Sequence, residues 1–82
     1  MKTLRSSGHR ALLDVLIDVR EKAGLNQREL ARLLKRSHSY VGRIEAGEQI
    51  PDPLECREWA MACGVTGWSL WWRLETRLKR HP

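Results

Sequence analysis

The side chains of this sequence that could do chemistry are concentrated between positions 27 and 43. There, five cations (Arg28, Arg32, Lys35, Arg36 and Arg43) stand against one acid, Glu29, and supply +4 of the chain's formal +5. Such a cluster favours a polyanionic partner, a nucleic acid or an acidic membrane surface, and charge by itself does not choose between the two. Catalysis has little to work with. No Ser/His/Asp or Cys/His arrangement has a pocket to occupy, Asp14 and Asp18 are an i,i+4 pair on one helix face, and there is no glycine-rich phosphate loop. The expectation is a binding protein, not an enzyme, with no small-molecule substrate and no cofactor.

Cys56 and Cys63 pose three alternatives: a redox pair, a metal pair or core residues. Seven positions along a helix amount to roughly 10.5 Å of rise, beyond the roughly 7 Å Cα separation that a disulfide tolerates. The three histidines, His9, His38 and His81, fall at no metal-like spacing. Both thiols are therefore expected to be reduced and to fill the core.

Two short helices joined by a tight turn must position the basic cluster. Over residues 27–34 the apolar positions Leu30, Ala31 and Leu34 share one side of a helix. Ser37 reads as the N-cap of a second helix over 38–45, which Gly47 ends. This second helix has only Val41 and Ile44 to turn inward and leaves Ser37, His38, Ser39, Gly42 and Arg43 looking outward. That makes a poor core helix and a good reading helix.

The flanking segments supply the rest of a core. Residues 1–8 form a polar, basic arm, either solvated or draped on a nucleic acid. A helix over 9–23 carries Leu12, Leu16, Val19 and Ala23 on one stripe with Leu13 and Ile17 beside it. Gly24 stops it, Leu25 re-enters the core, and Asn26 caps the next helix with Glu29 as a capping box. Asp52, Pro53 and Glu55 mark a strong start for a fourth helix, whose inward stripe is Cys56, Trp59, Ala60 and Cys63. After Gly64, Thr66 opens a fifth helix to about residue 80. Its apolar residues, Trp68, Leu70, Trp71, Trp72, Leu74 and Leu78, form a stripe wider than so small a domain can cover. An amphipathic helix with tryptophans and a basic face is one way to meet a membrane surface; a lid or a twofold contact is the other.

These residues carry a resemblance. The runs Q-x-x-L-A-x-x-L (Gln27, Leu30, Ala31, Leu34) and S-x-S-x-V-x-x-I-E-x-G (Ser37 to Gly47) are similar to the helix-turn-helix of the phage-repressor and Cro-like (XRE-type) family of DNA-binding regulators. The preceding R-x-x-x-G-L-x-Q (Arg20, Gly24, Leu25, Gln27) and the later Pro51 and Gly64-Val65 extend the likeness over roughly 12–65. The resemblance implies an all-α, five-helix, lambda-repressor-like domain over 9–65, and the wide apolar stripe of 66–82 adds a dimerisation helix as part of the same compact unit. The resemblance also implies that Ser37, His38, Ser39, Gly42 and Arg43 face the bases, with Arg43 suited to a bidentate contact to guanine. Gly42 departs from the polar residue usual in the family and either lets the helix approach closely or leaves a base pair unread. Gln27 is implied as a phosphate clamp, with Arg28, Lys35 and Arg36 as further phosphate contacts. Tyr40 is open between packing beside the groove and touching a phosphate. For Arg20 a phosphate contact is one reading, and the ion pair with Glu45 that the resemblance implies is the other. Lys35 and Arg36 stand where the family commonly has a glycine and a small apolar residue, so a differently wound turn is expected.

Bulk properties set the outer bounds. Eighty-two residues at 41 % apolar content support one domain and not two, and the sequence pI is 9.9. Four Trp and no Phe place much of the large apolar volume at few positions. No stretch approaches the roughly 18 apolar residues of a membrane span, and the run from Ala11 to Val19 is interrupted by Asp14 and Asp18. A cytoplasmic, nucleoid-associated bacterial or phage protein is expected. The leading function is a sequence-specific, double-stranded-DNA-binding transcriptional regulator, a homodimeric repressor reading an inverted repeat, with Trp68, Trp71, Trp72, Leu74 and Leu78 at the dimer contact. The competing function is an antitoxin or other interaction module that neutralises a protein partner through the Trp-rich helix and regulates its own gene. A controller of a restriction–modification system or mobile element is a subclass of the first.

Overall fold

Helix boundaries here follow capping chemistry almost throughout. In a computed structural model that describes residues 6–80, the chain forms α1 (Ser7–Lys22), α2 (Gln27–Leu33), α3 (Tyr40–Glu45), α4 (Pro53–Ala62) and α5 (Gly67–Arg80), an all-α arrangement among the described residues. Positions 1–5 of the expected arm and His81, of the three histidines, lie outside the described residues. Asn26 and Asp52 each close a reciprocal capping box, with Glu29 and Glu55 as partners. Thr66 Oγ1 accepts from the Ser69 N–H at 3.0 Å, which opens α5. Ser6 Oγ likewise accepts from the His9 N–H, so α1 starts at Ser7 and takes in Ser7 and Gly8, which the sequence reading placed in the arm.

The start of α3 is a correction. Ser37 does not cap it. Its backbone carbonyl accepts the Tyr40 N–H at 3.1 Å, closing a turn over 37–40, and the helix begins only at Tyr40. The N-cap position falls to Ser39, whose helical backbone angles make no side-chain cap.

All four inter-helix C-termini end alike. After α1, α3 and α4 the chain passes through a left-handed residue, Gly24, Gly47 or Gly64, and after α2 through Lys35 at φ 59°. The Lys35 N–H reaches the Arg32 carbonyl at 3.0 Å and the Arg36 N–H reaches Ala31 at 2.9 Å, the paired bonds of a Schellman motif. The turn is thus wound as it would be with glycine, contrary to the expectation of a different path. The two backbone bonds hold a lysine in a conformation that costs an L-residue roughly 1–2 kcal/mol.

The core gathers around Trp59, which is fully buried and donates its indole N–H to the Leu16 carbonyl at 3.0 Å. Around it lie Val15, Leu16, Val19, Leu30, Val41, Ile44 and Leu70. α1 touches α3, α4 and α5, so it is enclosed on more than one side. For that reason Ala11 and Val15, outside the expected stripe and its flank, are buried together with Leu13 of that flank, while Ala23, at the C-cap, is exposed. Cys56 and Cys63 are free, half-buried and packed against the core. α5 docks on α1 and α4 through Leu70, with Leu74 packed against the core and Leu78 reaching toward Gly8. Leu74 and Leu78, expected at a dimer contact, are half-buried and also touch the domain's own helices, Leu78 against the early first turn of α1 at Gly8. No described helix is long and apolar enough to cross a membrane.

Two measurements test these packing assignments. Lys35→Gly should raise unfolding stability by about 0.5–1 kcal/mol in urea titration, the relieved left-handed strain less the extra entropy of an unfolded glycine. Burial pushes the Cys56 thiol up to about 11. An unfolded cysteine ionises near pH 8.5, so the folded state holds the proton longer, and stability contributed by the neutral thiol is lost as pH rises from about 8.5 through 11. Melting temperatures across that window should therefore fall more steeply for the native chain than for Cys56→Ala.

Candidate nucleic-acid interface

A six-residue helix such as α3 has no stability of its own, so its outer face is set by what holds its inner face. Tyr40, Val41 and Ile44 are buried, and Glu45 at its last turn is fixed by charge. Arg20 Nε lies 2.7 Å from Glu45 Oε2, and Arg20 Nη2 lies 3.0 Å from Oε1. Arg20 Nη1 donates to the Leu25 carbonyl at 2.8 Å, and Gln27 Nε2 donates to Glu45 Oε1 at 2.8 Å. The two charged side chains are only 11 % and 7 % exposed. Hydrogen bonding by Glu45 raises the Arg20 guanidinium above its ordinary value despite the opposing effect of burial. The Glu45 carboxylate thus ties α1 and α2 to the end of α3, and Arg20 adds the α1–α2 turn through the Leu25 carbonyl.

Gln27 and Gly42 form one contact. A Cβ at Gly42 would sit 3.3 Å from Gln27 Oε1. Gly42 therefore faces the Gln27 side chain of α2, which fills the space a larger residue would need, and the missing Cβ lets the two helices of the motif approach closely. Gln27, implied as a phosphate clamp, has its amide engaged with Glu45 while remaining on the exposed side of the molecule.

On the outward side, Ser37, His38 and Ser39 are exposed in the turn before α3, and Arg43 is half-buried one turn on. Arg43 Nη1 donates to Ser39 Oγ, and Arg43 Nε donates to Gln49 Oε1 at 3.2 Å. His38 Nδ1 lies 3.3 Å from Arg28 Nη2, so those two exposed side chains stand together at the α2 edge of the same surface. Arg28, Arg32 and Lys35 are exposed.

Two of the expected phosphate residues are placed differently. Tyr40 is in the core, 4 % exposed, because the turn over 37–40 rotates it inward. The Arg36 guanidinium lies over its ring, 4.5 Å from the centroid, and reaches Glu55 Oε2 at 3.3 Å. Arg36 therefore joins the turn to the N-terminus of α4. Gln49 was missed by the sequence reading. The signal for it was present: it lies two residues past the helix-ending Gly47, where the Glu48 N–H folds back onto the Arg43 carbonyl at 2.9 Å.

Removing one partner of the buried pair should be severe. Glu45→Ala leaves Arg20 buried and uncompensated and should lower stability by about 3–5 kcal/mol in urea unfolding. A loss below about 1 kcal/mol would show that the pair is no more than a surface bridge.

The comparisons with known proteins agree with this geometry. A family model described as a helix-turn-helix matches residues 16–67. The solved structure of an XRE-family like protein from Pseudomonas syringae pv. tomato str. DC3000 is 34% identical and superposes with a TM-score of 0.79 over 85% of each chain. Comparison with curated proteins gave no match. The matched span contains the Arg20–Glu45 bridge and both helices of the motif, and on these grounds the chain belongs to the XRE-type helix-turn-helix family of DNA-binding regulators.

Proposed function

We propose that this chain is a sequence-specific transcriptional regulator that binds double-stranded DNA as a homodimer and represses from an inverted-repeat operator. The observation that carries the reading is the outward surface of the turn and α3, where the turn presents Ser37, His38 and Ser39 and a helix tied to α1 and α2 presents Arg43. A helix fits the major groove, where each base pair offers a distinct pattern of donors and acceptors, while phosphate contacts set register. In this reading Arg43 takes a guanine, and Gln27, Arg28 and Lys35 contact phosphates.

The dimer would be made by α5. Trp68, Trp71 and Trp72 are 83 %, 55 % and 68 % exposed, on neighbouring positions of one helix. Met61 and Val65 join Trp68 and Trp71 around a surface groove of about 660 Å³. A contiguous apolar patch of this kind marks an interaction site, and large aromatics dominate interfaces when desolvated. A twofold contact there is self-complementary and would give the two recognition helices the spacing of about one DNA turn, roughly 34 Å. The same exposed tryptophans are the observation that favours the second reading, a protein-neutralising antitoxin.

If about six phosphates are contacted per dimer, log K should fall against log salt with a slope near −5, and a slope near zero would remove the DNA reading. Arg43→Ala should cost about 1–3 kcal/mol and relax preference at one base position, whereas Arg28→Ala should weaken all sequences alike. Trp71→Ala and Trp72→Ala, followed by light scattering and binding to half and full sites, test the interface. Variants that remain dimeric with undiminished full-site binding would shift weight to the protein-partner reading.

A further inference from the structure

Arg43 is not a free side chain. The carbonyl Oε1 of Gln49 accepts its Nε–H at 3.2 Å, and the hydroxyl of Ser39 accepts from Nη1 one helical turn earlier. Both partners are placed by backbone geometry. Ser39 holds the N-cap position of α3, four residues before Arg43. Gln49 is delivered by the Schellman turn, in which Gly47 at φ 81° sends the chain back and the Glu48 N–H closes onto the carbonyl of Arg43 itself. Gln49 is half-buried, and the bond lies in a partly buried setting where water competes less.

We infer that Gln49 is a positioning residue that sets the base specificity of Arg43 by holding its guanidinium. The inference rests on the DNA-binding reading above and extends it to a residue outside the helix-turn-helix. Guanidinium carries five N–H donors in a rigid fork, and a bidentate contact to guanine O6 and N7 uses two. Gln49 and Ser39 occupy two others, one on Nε and one on Nη1, and leave a fork free. They also fix the plane of that fork before DNA arrives. A long side chain ordered only on binding weakens the complex by the entropy of its lost rotamers, and prior ordering removes that loss. The free face of Arg43 is therefore held in one orientation, and the base it accepts is restricted by that orientation as well as by its charge.

The test is selection of bound duplexes from a random DNA pool, run in parallel with the native chain, Arg43→Ala, Gln49→Ala and Gln49→Glu. The native chain should enrich a motif with a guanine that Arg43→Ala no longer selects. Gln49→Ala should reduce preference for that same guanine by about 3- to 10-fold, leaving other positions and the salt slope unchanged, from the ordering of one side chain. Gln49→Glu retains an acceptor for the Arg43 N–H, so it should keep the guanine preference while binding every sequence more weakly through added negative charge. A Gln49→Ala motif identical to the native one, or one flattened equally at all positions, would overturn the inference while leaving DNA binding intact. Failure of the native chain to enrich any motif would instead overturn the DNA-binding reading and the inference with it.

Discussion

The carboxylate of Glu45 accepts from Arg20 twice and from Gln27 once, and the remaining reach of Arg20 is taken by the Leu25 carbonyl. A charge pair this deeply enclosed gains no stability by default, since desolvation opposes the attraction and apolar replacements are often as good. What the bridge supplies here is position. It is directional, it joins α1 and α2 to the last turn of α3, and it opposes rotation of α3 about the apolar contacts of Val41 and Ile44. The orientation of the outer face of α3 rests on that constraint together with the apolar face beneath it.

With α3 fixed, the cations of the motif divide into two groups. Arg20 is buried and paired with Glu45, while Arg36, on the surface, is engaged by Glu55 and the Tyr40 ring. Arg28, Arg32 and Lys35 stay exposed, and Arg43 lies between the groups, held by neutral oxygens that leave its charge uncompensated. Lys35 is instructive because it occupies a left-handed position where glycine is easier. A lysine there places a cation at the mouth of the turn, beside α2's C-terminal carbonyls, at a conformational cost the Schellman bonds absorb.

Much of the scaffold was legible in the residues. Asn26 with Glu29, Asp52 with Glu55, and glycines at 24, 47 and 64 each carry a local chemistry that tertiary packing does not override, and the helices they bound stand where that chemistry puts them. The seven-residue spacing of Cys56 and Cys63 likewise foretold two free thiols. What was not legible involved competition between groups. Ser37 has a hydroxyl suited to capping, but its carbonyl satisfies the chain first, and the resulting turn carries Tyr40 into the core. Arg36 has a carboxylate from α4 within reach that no local pattern announces. The contact of Leu78 with Gly8 is likewise not announced by any local pattern, since it depends on α1 starting at Ser7.

In the proposed binding mode the DNA meets the turn and outer face of α3, with Gln49 behind it, and the tryptophans of α5, on a helix that packs on α1 and α4, stay clear of the duplex. A nuclear magnetic resonance titration of the ¹⁵N-labelled chain with a selected duplex measures this directly, because backbone amides and tryptophan indoles report separately. The account predicts large shift changes at Arg28, at residues 37–43 and at the Gln49 side-chain amide, with the indole signals of Trp68, Trp71 and Trp72 unmoved. Changes concentrated at those three indoles, with residues 37–43 silent, would contradict it.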